Sequence, residues 1–104
     1  MIVDFPVARS GGLVSLAYSN LTAPVAQRIS HLRRRSRVSR HDLAILLDST
    51  DEFVARLEQG GPAITPKRVR RVARALGVRE ELFYPRGRPD IFWDQVDSTL
   101  DGLL

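Results

Sequence analysis

The side chains with the most chemistry to offer are arginines. Of sixteen basic residues, all but Lys67 are arginine. The planar guanidinium meets phosphate oxygens and the guanine edge through paired hydrogen bonds, so a block of arginines suits a polyanionic partner. The block is localised: Thr22 to Leu76 holds twelve basic and five acidic residues, whereas the stretch from Gly77 onward holds three and six. A solvated helical surface would show the same charge pattern, and charge alone does not separate the two. Catalysis has far less to work with. The two histidines, His31 and His41, lie among arginines, and there is no cysteine, so disulfides and thiolate metal sites are excluded and no second nearby histidine completes a zinc site. No serine sits in a Gly-x-Ser-x-Gly elbow, and Gly60-Gly61-Pro62 lacks the lysine and hydroxyl residue of a phosphate loop. The expectation is a non-enzyme with no cofactor and no metal.

These side chains need elements to hold them. At 104 residues and 43% hydrophobic content, one self-supporting core is expected. Met1-Ile2-Val3-Asp4-Phe5-Pro6 is not the start of a signal peptide, and no apolar run approaches the length of a membrane span. A cytoplasmic protein is expected, without a membrane partner. In residues 1–21, Val3, Phe5 and Val7 alternate with other residues, as do Val14, Leu16 and Tyr18, around Ser10-Gly11-Gly12. That alternation predicts a short β-hairpin extension, which must pack on the domain, pair with a second copy or stay partly disordered.

From Leu21 the apolar period becomes helical. Thr22 is the predicted cap of a first helix, with Pro24 in its first turn and Val25, Ile29 and Leu32 on one face. Ser39 caps a second helix carrying Leu43, Ala44 and Leu47; Thr50 caps a third, with Val54 and Leu57 inward and Gly60 as a left-handed C-cap. Thr65-Pro66 opens a fourth, with Val69, Val72, Ala73 and Leu76 buried and Gly77 ending it. Residues 79–84 fit a short fifth helix, and Pro85-Arg86-Gly87-Arg88-Pro89 reads as a linker. Beyond it, 90–104 is an acidic amphipathic helix with Phe92, Val96, Leu100 and Leu103 along one side. The expected organisation is an extension (1–21), a helical domain (22–85) and a linker with a helical tail (86–104).

Ile29-x-x-Leu32-Arg33, Val38-Ser39-x-x-x-Leu43-Ala44, Val54-x-x-Leu57-Glu58-x-Gly60 and Val72-Ala73-x-Ala75-Leu76-Gly77-Val78, closing on Leu82-Phe83, occur in order. Together they resemble the Cro and phage-repressor type of helix-turn-helix, the xenobiotic-response-element family. The resemblance covers residues 25–84 and implies an all-α, five-helix, lambda-repressor-like domain that recognises double-stranded DNA and regulates transcription, commonly as a homodimer. It makes 51–59 the recognition helix, with Asp51, Glu52, Phe53 and Arg56 facing bases and Arg40, Thr50, Thr65, Lys67 and Arg68 near phosphates. It also implies an ion pair between Arg33 and Glu58. Localisation would be cytoplasmic, at the nucleoid when DNA is bound. Two features depart from the pattern. Asp48 stands where the family prefers glycine, and Asp48, Asp51 and Glu52 bring three carboxylates toward a polyanion. The rival expectation is a protein-interaction module, antitoxin-like or adaptor, that keeps the scaffold with weak or no DNA binding. It would bind protein through the acidic helix tip, the hairpin or the tail, residues 90–104 being the best candidate surface for RNA polymerase or another protein.

Overall fold

The computed structural model describes the backbone of residues 5–103 and the side chains of residues 12–103. Five α-helices form among the described residues: α1 (Phe5–Arg35), α2 (Arg40–Leu46), α3 (Asp51–Gln59), α4 (Pro66–Leu76) and α5 (Pro89–Leu103). No strand occurs in this range. No helix among the described residues is long and apolar enough to cross a membrane.

The expected hairpin is replaced by helix, apart from residues 1–4, which lie outside the described residues. Its turn, Ser10-Gly11-Gly12, falls within α1. The cause is visible in the spacing Tyr18, Thr22, Val25, Ile29, which places one continuous stripe against the core. Extending an existing helix adds one hydrogen bond per residue fixed, whereas an isolated hairpin is marginal in water. The period-2 alternation was a weaker signal, and obeying helical geometry leaves Leu13 and Leu16 exposed.

Thr22 consequently caps nothing. It is buried within α1, donating its hydroxyl proton to the Tyr18 carbonyl at 2.7 Å and accepting from the Gly61 amide at 2.8 Å. The same helix also carries Pro24 in its interior rather than its first turn. Proline there withholds an amide from the ladder.

Ser39, Thr50 and Thr65 cap α2, α3 and α4 as the sequence predicts, each accepting from the amide three residues on, at 3.0, 3.1 and 3.2 Å. Gly77 ends α4 in the left-handed conformation. Gly60 ends α3 differently, at φ 87° and ψ −178°, a region open essentially to glycine alone. A Cβ there would also stand 3.4 Å from both the Ser19 carbonyl and the Thr22 hydroxyl. The α3–α4 turn thus packs directly on α1.

Val25, Ile29, Leu43, Val54, Leu57 and Val72 are fully buried together. The expected fifth helix is a 3-10 turn, Glu80–Phe83, which drives Phe83 into this core. The expected linker is likewise ordered as a second tight turn, Pro85–Gly87, with Arg86 at φ 59°. It returns the chain so that α5 packs on α1, burying Phe92 and Val96. Tyr84, Phe92 and Trp93 meet edge to face, at centroid distances of 5.0–6.2 Å. Trp93 Nε1 donates to the Tyr84 hydroxyl at 2.8 Å, and burial pushes the Tyr84 phenol up to about 12.

Candidate nucleic-acid interface

The α2–turn–α3 unit presents one face to solvent. Leu43 and Ala44 anchor α2, Val54 and Leu57 anchor α3, and Leu47 closes the turn between them. Asp48 takes the left-handed conformation at φ 54° that the glycine of the pattern would take. Its amide bonds the Ile45 carbonyl at 3.1 Å, and the Ser49 amide bonds Ala44 at 2.8 Å. Aspartate tolerates this backbone better than most residues, so the turn survives the substitution. Arg71 of α4 adds a brace that has no local signature in the sequence. Its Nη2 donates to the Leu47 carbonyl at 2.8 Å, at the end of α2.

Anchoring Val54 and Leu57 leaves Asp51, Glu52 and Arg56 exposed on the outer side of α3. They share that side with Gln59, which sequence reasoning passed over although the spacing from Glu52 and Arg56 points to it. Phe53 is placed differently from its neighbours. It is half-buried, and the Arg68 guanidinium lies 5.2 Å from its ring centroid. Arg68 Nη1 also donates to the Ala63 carbonyl at 3.2 Å. Phe53 and Arg68, assigned to a base and a phosphate respectively, therefore hold one another. Both line an open groove with Arg56, Gln59 and Ala63.

Arg33 and Glu58 come together as the resemblance implied. Arg33 reaches Glu58 through Nε at 2.5 Å and Nη2 at 3.2 Å, and its Nη1 donates to the Val38 carbonyl at 2.9 Å. Arg40 joins them, with Nε 3.1 Å from Glu58 Oε1. Its side chain is still 54% exposed, so it remains accessible from outside. Burial raises the Glu58 carboxyl, but hydrogen bonds and charge from Arg33 and Arg40 outweigh that and hold it below the usual carboxylate range.

At the other end of α3, His41 Nδ1 lies 3.1 Å from Asp51 Oδ1, with both side chains largely exposed. The first turn of α2 thus touches both ends of α3. The Thr50 and Thr65 hydroxyls accept amide protons at their caps and keep their own protons for an external acceptor. Lys67 is exposed on the first turn of α4. No group of three or more histidine and carboxylate side chains could hold a metal ion among the described residues.

A helix-turn-helix domain family model matches residues 25–83. Neither the curated proteins nor the solved structures yield a match. The matched segment runs from buried Val25 of α1 to the core residue Phe83 and includes the Arg33–Glu58–Arg40, His41–Asp51 and Phe53–Arg68 contacts. More than half of the chain is accounted for in this way, and the chain belongs to the helix-turn-helix domain family.

Proposed function

We propose that this protein is a sequence-specific double-stranded DNA-binding transcription regulator of the Cro and phage-repressor type, with α3 entering the major groove. The observation that carries the reading is the exposed outer side of α3, anchored by buried Val54 and Leu57 and flanked by Arg40 of α2 and Arg68 of α4. Asp51, Glu52 and Arg56 face base edges in this reading. Arg56 can make the bidentate contact to guanine, worth about 1–3 kcal/mol of discrimination, and a carboxylate can accept from a cytosine amino group. Phe53, half covered by Arg68, offers only part of its ring to a thymine methyl. Arg40, Thr50, Thr65, Lys67 and Arg68 serve phosphates and fix the register on the duplex. Two copies bound as a homodimer would address half-sites about 34 Å apart. Action on chromosomal DNA would put the protein in the cytoplasm, at the nucleoid.

The best candidate surface for the protein-interaction reading is the apolar face of the tail helix. Phe92 and Val96 of that face pack on the protein's own domain, which removes much of the surface available to a partner such as RNA polymerase. Selection from a pool of random-sequence duplexes with the immobilised protein tests the DNA reading. A recovered motif, lost when the selection is repeated with Arg56→Ala, supports it. Recovery of no enriched sequence overturns it.

A further inference from the structure

The turn between α1 and α2 contains an arginine in a conformation that arginine does not favour. Arg37 has φ 60°, where a Cβ crowds the backbone and glycine is the comfortable occupant. Its amide closes a tight turn on the Arg34 carbonyl at 3.0 Å, and the Val38 amide bonds Arg33 at 3.1 Å. The side chain is exposed and makes no hydrogen bond or ion pair within the described residues. Among the described residues no side-chain hydrogen bond or ion pair of Arg37 offsets that strain. The two hydrogen bonds are those of a left-handed helix C-cap, so residue 37 ends α1 and its side chain is left in solvent.

The position of the turn says what that side chain can meet. Arg33 grips the carbonyl of Val38, the next residue, with one guanidinium nitrogen while two others hold Glu58 of α3. Arg40, three residues on, holds the same carboxylate, and His41 reaches Asp51 at the opposite end of α3. Residue 37 is therefore fastened beside the recognition helix. Its neighbours Arg34 and Arg35 are also exposed, and Arg34 Nε is directed back to the Ser30 carbonyl. Glu58, the carboxylate that Arg33 and Arg40 reach, is already shared by those two arginines.

We propose that Arg37 is a phosphodiester-binding residue, set at the edge of the DNA interface by the strained α1–α2 turn. The assignment rests on the DNA reading above and adds a contact from the α1–α2 turn to those proposed on α2, α3 and α4. Because it engages a backbone phosphate, it contributes to every duplex alike and not to sequence choice.

Two measurements on the full chain test it together: thermal unfolding, and binding to a mixed-sequence duplex across a salt series. Arg37→Gly relieves the strain, so its melting temperature should rise, by about 4 °C. The same substitution should weaken duplex binding severalfold and reduce the slope of log affinity against log salt by about one. Arg37→Lys keeps the charge and should keep the slope. A more stable Arg37→Gly with unchanged affinity and slope overturns the proposal, as does an Arg37→Gly that loses the enriched motif instead of the salt slope. If the unsubstituted protein binds no duplex at any salt concentration, the DNA reading itself fails, an outcome distinct from a binding protein indifferent to residue 37.

Discussion

At the scale of single residues, the proposed DNA-binding face depends on side chains that face inward as much as on those that face out. Glu58 is the clearest case, with a 2% exposed side chain shared between Arg33 and Arg40. Glu58→Gln leaves Arg33 without its buried counter-charge and should cost about 3 kcal/mol, read in chemical denaturation. Because the Glu58 carboxyl is held below its usual range in the folded protein, its stabilising contribution is full above the unfolded carboxylate value. It disappears as pH falls through the lower folded value, and the Gln variant should lack that part of the acid destabilisation. Phe53 makes a second residue-scale case. With Arg68 stacked on it, Phe53→Leu should reproduce Arg68→Ala in duplex binding, weakening all sequences alike. The double variant should then be no worse than either single one, a result that independent base and phosphate contacts would not give.

At the scale of elements, legibility in the sequence tracked how local the cause was. Caps at Ser39, Thr50 and Thr65 were readable because each is decided within one turn, by a hydroxyl three residues before an amide. The role of Thr22 was not, because its hydroxyl serves the amide of Gly61, thirty-nine residues away. Thr22→Val should therefore cost about 1–3 kcal/mol in thermal or chemical unfolding, leaving the Gly61 amide without its acceptor. The interface divides along the same line. Helical spacing alone put Arg56 on the outer side of α3, but the Phe53–Arg68 stack and the Arg71 brace join residues from separate helices and leave no local signature. The turn residue Asp48 offers a test that spans stability and binding. Asp48→Gly relieves a left-handed side chain and removes a carboxylate from the end proposed to face the duplex. It should stabilise the fold by no more than about 1 kcal/mol and tighten DNA binding most at low salt.

At the scale of the whole molecule, the chain divides its charge between two sides of one core. The helix-turn-helix and α4 carry the cations, while α5 carries Asp90, Asp94, Asp97 and Asp101 along one stripe and no basic residue. That stripe lies opposite the buried Phe92 and Val96, so the tail's apolar side completes the fold while its acidic side faces solvent. Phe92→Ala should accordingly destabilise the protein by about 3 kcal/mol in unfolding experiments, with duplex affinity kept at temperatures where the variant is folded. The whole account turns on which side meets DNA, and backbone amide chemical shifts recorded during titration with a selected duplex show this directly. The largest changes should fall on residues 51–59, on the 36–40 turn and on 65–68. Changes confined to 89–103, with the amides of α3 unmoved, would contradict the account.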